Sequence, residues 1–273
     1  MNILTFDIEE WYCNFVEPEG IDKTYSIKDR LLELLSLLDE YGITPTFFVV
    51  SSFAERHPEI IHRIAQKYDI GSHSSLHMLA QTQSYNEFYK DIVSSIESLE
   101  KITGKKITKY RTPGFSIPNN EYLKILFDTP IEIDCSLCAK NHFYGKKILD
   151  TDEICLIEHN KRTIKEFPPT VLKVFNKEVG FLGGGYFRLF PYFMIKNWIK
   201  KHEDYNITYL HPSDFDINQP HLNIYSSFEK FKRYHGIQGA EKKLLRLFKD
   251  FSFIDIQKAE SMINWQETKI IHI

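Results

Sequence analysis

The chain has 273 residues, of which 42% are hydrophobic and 26% are charged, and its formal net charge is -3. This length suits one large α/β domain with an ample core, and the composition is that of an ordinary globular protein. The small negative charge argues against nucleic acid as a partner, because phosphate binding needs a surplus of lysine and arginine.

The N-terminal residues lead directly into a predicted strand, without a basic region or an apolar run before a small-residue cleavage site. No window approaches the ~18 consecutive apolar residues of a membrane span. We therefore expect a cytoplasmic protein without a membrane-spanning segment.

Short apolar runs and segments of helical periodicity alternate through the first half of the chain. Strands are predicted at residues 3–7, 46–50, 69–72, 109–111 and 131–135. Helices are predicted to begin at Ser26, Pro58, Ser84 and Asn120, the first and third with the pattern of a capping box. Such regular alternation predicts parallel β/α units whose strands are buried on both faces.

The pattern changes in the second half of the chain. Strands at 153–157, 164–167 and 171–175 follow one another without helices, which indicates a β-rich insertion. A helix at 191–201, a strand at 207–211, helices at 228–234 and 240–248 and a last strand at 251–254 are predicted after it. The chain contains no linker or internal repeat, so we expect one domain over residues 1–273.

Two histidines four residues apart, His73 and His77, follow the predicted strand at 69–72. If the chain begins to coil there, both imidazoles point the same way and can bind one divalent metal at about 2.0–2.1 Å. Two polar loop histidines are the alternative, since a chain with 11 histidines can show this spacing by chance.

Two acidic residues, Asp7 and Glu9, lie at the end of the first predicted strand and share one face if the strand continues. Parallel α/β folds build their sites at this end of the sheet. A carboxylate beside two histidines completes a facial set that leaves metal positions open for water and substrate. A solvated acidic loop is the alternative.

Arg111 and His211 stand at two further strand ends. The turn Thr112-Pro113-Gly114 would fix the Arg111 guanidinium, which can then keep a carboxylate ionised. His211 follows an apolar strand, and an ordinary pKa of about 6.5 suits a histidine that acts as a general acid. A surface arginine and a structural histidine are the alternatives.

Together and in this order, these stretches resemble the polysaccharide deacetylase family with the NodB homology domain, carbohydrate esterase family 4. Phe6-Asp7-Ile8-Glu9 resembles its first motif, and His73-Ser74-Ser75-Leu76-His77 matches its H-[ST]-x-x-H metal motif. Arg111-Thr112-Pro113-Gly114 matches its R-x-P-x-G motif with the glycine one residue early, and Leu210-His211-Pro212 resembles its closing L-x-H motif. The segment 183–191 looks like the subgroup associated with exopolysaccharide biosynthesis, which carries an extra C-terminal region.

The resemblance covers about residues 2–216, and we assign 217–273 to the C-terminal extension. It implies a distorted (β/α) barrel of about seven units and a divalent metal, most often zinc. Asp7 would be the general base, His211 the general acid, and His73 and His77 metal ligands. Arg111 would orient Asp7, with Glu166 as the acidic residue that supports the arginine. Substrate contacts would come from Trp11, Pro113, Gly114, Tyr186 and Leu210.

The chain departs from the family pattern at two positions. Ile8 stands where the usual first motif has its metal-binding aspartate and cannot ligate, so Glu9 is the predicted acidic ligand, with Glu10 as the alternative. Ser213 stands where many relatives have tryptophan, so one wall of the acetyl pocket is expected to differ.

The resemblance implies removal of the acetyl group from an N-acetylated saccharide in bacterial surface polysaccharide metabolism. Two alternatives are hydrolysis of another C–N bond, in a peptide or cyclic amide, and carbohydrate binding without catalysis. Gly183-Gly184-Gly185 lacks the lysine and hydroxyl residue of a P-loop, and we expect it to form a tight turn that brings the backbone close to the barrel.

Overall fold

The computed structural model describes residues 1–13, 23–139, 147–174, 177–202, 204–223 and 225–273. The strands in these ranges are β1 (Asn2–Ile3), β2 (Thr5–Ile8), β3 (Thr46–Val49), β4 (Asp69–Ser72), β5 (Lys109–Tyr110), β6 (Ile133–Asp134), β7 (Cys155–His159), β8 (Arg162–Glu166), β9 (Leu172–Val174), β10 (Lys177–Val179), β11 (Asn206–Ile207) and β12 (Ile270–His272). The helices are α1 (Lys28–Tyr41), α2 (Ser51–Arg56), α3 (Pro58–Lys67), α4 (Tyr85–Thr103), α5 (Asn120–Lys124), α6 (Gly184–Leu189), α7 (Tyr192–Lys201), α8 (Ser227–Tyr234), α9 (Ile237–Asp250) and α10 (Ile256–Met262).

The main sheet of the described chain has the strand order β12-β7-β8-β6-β5-β4-β3-β2. Every neighbouring pair from β2 to β6 is parallel, as is the pair of β6 and β8, whereas β7 and β8 are antiparallel. All residues of β2 and β3 are buried, as expected for parallel strands that are covered on both faces. The predicted β/α alternation is confirmed, and the β-rich insertion contributes β8 to the sheet.

The other edge of β2 is covered by residues 206–210. β1 pairs with β11 in parallel, and Phe6 forms a parallel bridge with Leu210. Gly183 forms a parallel bridge with Tyr209 of the same 206–210 segment. The hydroxyl of Tyr205 donates to the carbonyl of Pro168, just after β8, at 2.8 Å. This contact links the segment beside β2 to the segment that follows β8, which is the arrangement of an open, distorted barrel. Backbone pairing among the described residues does not close the ring.

The helices pack an apolar stripe against these strands. In α1 the buried side chains are Leu31, Leu34, Leu35 and Leu38, which recur at helical spacing. Gly42 ends this helix in the left-handed region, at φ 64°, where a side chain would cost energy. None of the helices in the described ranges combines the length and apolarity needed to cross a bilayer.

Several boundaries differ from the sequence prediction. α2, α10 and β12 were not predicted, and residues 184–189 form a short helix where a turn was expected. Of the predicted last strand at 251–254, Ile254 alone forms a bridge, to Ile3. The predicted strand at 171–175 corresponds to β9, and its last residue lies outside the described ranges.

Candidate metal centre

The candidate site lies at the carboxyl ends of β2, β4 and β5 and of the segment ending at Leu210. Because neighbouring parallel strands end at the same edge of a sheet, their following residues converge there. The residues brought together are Asp7, Glu9, His73, His77, Arg111 and His211.

His73 and His77 meet through an irregular loop. Ser74 and His77 have φ values of 71° and 59°, so the chain does not coil into a helical turn as the spacing suggested. The backbone N–H of His77 donates to the Ser74 hydroxyl at 2.9 Å, and the two imidazole centroids are 5.0 Å apart. His73 Nδ1 lies 2.7 Å from the carbonyl oxygen of Arg111, which assigns the proton to Nδ1 and leaves Nε2 to face the centre.

Glu9 supplies the carboxylate beside the two imidazoles. One ligand atom each from Glu9, His73 and His77 lies within 4.8 Å of the others. Glu9 Oε2 contacts His77 Nε2 and is buried without a hydrogen bond from the described residues. Burial lowers the pKa of His73 to about 4, which keeps its imidazole neutral and able to donate a lone pair. Two imidazoles and one carboxylate match the donor set of a zinc site with open positions.

Glu10 points away from this centre and towards the start of α1. Its Oε2 accepts a hydrogen bond from the Ile27 backbone N–H at 3.1 Å, and its Oε1 accepts one from the Ser26 hydroxyl at 2.7 Å. Ile8 is fully buried in the core. The geometry therefore favours Glu9 over Glu10 as the acidic ligand.

A buried ion pair joins Asp7 and Arg111. Arg111 Nη1 lies 2.6 Å from Asp7 Oδ1 and 2.8 Å from the Thr5 hydroxyl. Burial alone would raise the pKa of Asp7, but the charge of Arg111, followed by those of His73 and His211, holds this pKa below its ordinary value. Asp7 is therefore a carboxylate at neutral pH.

The second oxygen of Asp7 faces two histidines. Asp7 Oδ2 is 3.9 Å from His73 Nε2 and 3.8 Å from His211 Nε2. One carboxylate oxygen and two imidazole nitrogens thus surround one small volume at the strand ends.

His211 is held by Asp214, a residue that the sequence reasoning did not single out. Asp214 Oδ2 accepts hydrogen bonds from the His211 backbone N–H at 2.8 Å and from Nδ1 at 2.9 Å. Burial would lower the pKa of His211, but Asp214, with Glu9 and Asp7, raises it to about 9. The sequence signal was an aspartate three residues after the histidine, in a turn that begins at Pro212.

The other predicted residues lie around this centre. Glu166 is fully buried; its Oε1 accepts a hydrogen bond from the Leu137 backbone N–H at 3.0 Å, and its other close partner is Asp134. Burial, followed by the charge of Asp134, raises the pKa of Glu166 well above its ordinary range, and the smaller opposing effect of Arg111 does not reverse this shift. Arg111 forms its ion pair with Asp7 instead.

Of the five predicted substrate contacts, Tyr186 is the most exposed, at 38% of its surface. Pro113 is buried, and Gly114 adopts a φ of 61° in the turn after Arg111. Trp11 donates its indole N–H to the Tyr25 carbonyl, and Leu210 is fully buried; both belong to the hydrophobic core.

Comparison with known proteins identifies two matched families along the chain. Residues 3–131 match the polysaccharide deacetylase family, and residues 135–260 match a domain of unknown function, DUF3473. Residues 3–131 belong to the polysaccharide deacetylase family. This deacetylase-family segment contains Asp7, Glu9, His73, His77 and Arg111, whereas His211 and Asp214 lie in the DUF3473 segment.

Two curated relatives of this chain are peptidoglycan deacetylases. The peptidoglycan-N-acetylmuramic acid deacetylase PdaA of Bacillus subtilis is 30% identical over 93 residues, which are 34% of this chain and 35% of that protein. A peptidoglycan-N-acetylglucosamine deacetylase of Bacillus cereus is 28% identical over 97 residues, which are 35% of this chain and 43% of that protein. The aligned region thus spans less than half of either relative.

Solved structures share the fold over nearly the whole chain. A protein of Mycobacterium smegmatis described as a polysaccharide deacetylase has a TM-score of 0.68 at 19% identity, covering 100% of this chain and 92% of that one. Peptidoglycan deacetylase PdaC of Bacillus subtilis has a TM-score of 0.53 at 15% identity, covering 97% of this chain and 92% of that one. A CE4 family pseudoenzyme of Bacillus anthracis has a TM-score of 0.52 at 12% identity, covering 100% of this chain and 69% of that one. Because a pseudoenzyme shares the fold, activity has to be argued from the site residues.

Proposed function

We propose that this protein is a metal-dependent deacetylase that hydrolyses the N-acetyl amide of a saccharide in bacterial surface polysaccharide metabolism. The observation that carries the proposal is the ionised Asp7, paired with Arg111, beside a Glu9/His73/His77 donor set and opposite His211. Membership of the deacetylase family supports the reaction class, and the named activities of the two curated relatives support the substrate class.

The ligands of the metal would be Glu9, His73 and His77. Zinc bound there would polarise the acetyl carbonyl and make a water molecule more acidic, from a pKa of about 15.7 towards 7. The neutral state of His73 and the ionised state of Glu9, whose pKa is lowered chiefly by His77 against the opposing effect of burial, suit this role.

Asp7 would act as the general base. Its Oδ1 is occupied by Arg111, which leaves Oδ2 to accept a proton from the water that attacks the acetyl carbon. Arg111 keeps Asp7 ionised and fixes its orientation. The attack forms a new C–O bond, and its tetrahedral product must then lose the amine.

His211 would act as the general acid. Because Asp214 accepts from Nδ1, the proton on Nε2 faces the same volume as Asp7 Oδ2. Transfer of this proton to the amide nitrogen allows the C–N bond to break, which releases acetate and a free sugar amine. The raised pKa of His211 keeps this proton in place at neutral pH.

The test separates metal binding from turnover by means of His211→Ala. We expect this variant to keep its metal, measured by atomic absorption, and to lose acetate release from N-acetylated oligosaccharides by about 10²-fold or more. His62→Ala on the exposed face of α3 is the matched control and should retain both properties. Full activity of His211→Ala would refute the assigned acid, and absence of turnover in the metal-loaded parent chain on every saccharide would favour a binding function.

A further inference from the structure

A buried guanidinium, that of Arg188, lies behind the His211–Asp214 pair. Arg188 is 7% exposed, and its Nε lies 3.0 Å from Asp214 Oδ1 and 3.3 Å from the Gly184 carbonyl oxygen. Since Asp214 Oδ2 already accepts from His211, each carboxylate oxygen has its own partner. Asp214 is thereby fixed from two sides.

The other nitrogens of Arg188 bind the C-terminal extension. Nη2 donates to the Lys232 carbonyl at 3.0 Å, and Nη1 donates to the carbonyls of Arg233 and, at 3.3 Å, His235. These carbonyls lie at the C-terminal end of α8, where helix carbonyls lack partners within the helix and a cation is favourable. One side chain thus joins the end of α8 to the carboxylate that holds His211.

Two members of the glycine run, Gly183 and Gly184, make this arrangement possible, whereas a Cβ on Gly185 would meet no other atom within 4 Å. A Cβ atom on Gly184 would lie 1.8 Å from Asp214 Oδ2, and one on Gly183 would lie 1.9 Å from the Tyr209 ring. Gly236, which follows α8, has a φ of +77°, and a Cβ there would lie 2.6 Å from the Arg188 carbonyl oxygen. Glycine is therefore required on both sides of Arg188, which accounts for a motif that the catalytic assignments leave unexplained.

We propose that Arg188 is a positioning residue for the general acid, which couples the C-terminal extension to His211 through Asp214. The inference rests on the proposed role of His211. It assigns α8 a function in the acid step, because the α8 carbonyls hold the guanidinium that holds Asp214. Loss of this contact should impair proton delivery more than any other step of the reaction.

Two substrates isolate the proton-delivery step. An amide nitrogen leaves only after it gains a proton, whereas 4-nitrophenyl acetate releases a stable phenolate without one. We expect His211→Ala and Arg188→Gln to hydrolyse 4-nitrophenyl acetate at nearly the parent rate. Their turnover of an N-acetylated oligosaccharide should fall, by about 10²-fold or more for His211→Ala and about 10–100-fold for Arg188→Gln. Arg188→Lys keeps the positive charge but not the planar guanidinium, so it should lose less turnover of the N-acetylated oligosaccharide than Arg188→Gln.

Lys243→Gln is the matched control. Lys243 on α9 donates to the carbonyls of Phe187, Arg188 and Phe190 and so joins the same two regions without contacting Asp214. It should retain both activities. If Arg188→Gln is too unstable to purify, Arg188→Lys takes its place and should show the same selective loss of amide turnover in smaller measure.

The outcomes distinguish the inference from the proposed function. A selective loss in His211→Ala without one in Arg188→Gln, or equal losses on both substrates in Arg188→Gln, would overturn the role of Arg188 alone. The same selective loss in Lys243→Gln would assign the effect to general packing and would also overturn it. If His211→Ala shows no selectivity, the proposed acid is wrong and the role of Arg188 is refuted with it.

Discussion

At the scale of single residues, the site holds three titratable groups in different charge states. Arg111 keeps Asp7 ionised, burial keeps His73 neutral, and Asp214 keeps His211 protonated. A base that is ionised and an acid that is protonated at the same pH are what amide hydrolysis requires. Each state follows from a specific neighbour, so each can be changed by one substitution.

The first prediction concerns the pH dependence of catalysis. If His211 is the general acid proposed above, its protonated form is the active one, and kcat/KM should fall as pH rises through about 9, the raised pKa of this group. Asp214→Asn removes the main interaction that raises the pKa, so the alkaline limb should move to lower pH. The measurement is the pH profile of acetate release from an N-acetylated oligosaccharide.

Asp216→Asn is the control for this prediction. Asp216 is also buried, but it accepts a hydrogen bond from the Tyr25 hydroxyl at 2.7 Å and does not contact His211. The alkaline limb of the pH profile of Asp216→Asn should stay at the position found for the parent chain. An unshifted alkaline limb in Asp214→Asn would show that another group sets its position.

The raised pKa of His211 also contributes to the free energy of unfolding. This contribution is fully present below about pH 6.5 and is lost as pH rises through about 9.

At the scale of elements, two helix starts with the same sequence pattern fold differently. Ser84 forms the predicted capping box: its hydroxyl accepts from the Glu87 backbone N–H, and the Glu87 carboxylate accepts from the Ser84 backbone N–H at 2.8 Å. Ser26 does not form the predicted capping box at α1: its hydroxyl donates to Glu10 and accepts from the Lys28 backbone N–H at 3.3 Å. Glu10 also binds the Ile27 backbone N–H. A carboxylate from another part of the chain replaces the local one, and local sequence patterns carry no information about such a contact.

The second prediction tests the confirmed cap. Ser84→Ala should lower the free energy of unfolding by about 1 kcal/mol, since the Glu87 backbone N–H loses its partner at the start of α4. Ser94→Ala, at an exposed position inside the same helix, should change this free energy by less than about 0.5 kcal/mol. Urea denaturation measures both, and equal effects of the two substitutions would contradict the assignment of the cap.

The histidine loop shows where prediction from the sequence ended. The residue types and spacing identified His73 and His77, but the expected helical turn is absent because Ser74 and His77 adopt positive φ. Tertiary contacts support this backbone: the Ser95 hydroxyl donates to the Ser74 carbonyl at 2.9 Å, and Asp91 accepts from the Ser75 backbone N–H at 3.2 Å. Both partners belong to α4, which follows the loop in sequence, so the spacing alone could not reveal them.

At the scale of the whole molecule, the C-terminal extension shares the main core. Leu244 and Leu247 of α9 are fully buried in the same cluster as Phe6 of β2. Ile254 bridges to Ile3, and β12 pairs with β7 across more than a hundred residues of sequence. The sequence predicted two helices, at 228–234 and 240–248, and a last strand at 251–254, but the partners of these segments are distant in sequence and could not be read from it. We propose that residues 1–273 unfold as one domain.

The third prediction tests this cooperativity. Leu244→Ala should lower the free energy of unfolding by about 2–5 kcal/mol because it leaves a cavity in the shared core. Thermal unfolding should remain one transition, displaced as a whole. Leu189→Ala, at a side chain that is 40% exposed, should have a much smaller effect. If thermal unfolding shows two transitions and Leu244→Ala shifts only one of them, the C-terminal extension folds separately.

The central claim is that Glu9, His73 and His77 bind a metal that deacetylation requires. The most direct measurement is the metal content and acetate release of one purified sample, before and after chelation, in the parent chain and in His73→Ala. We expect about one metal ion per chain in the parent, and its loss together with acetate release in His73→Ala and after chelation. A parent chain that releases acetate without metal, or a His73→Ala variant that keeps both, would contradict it.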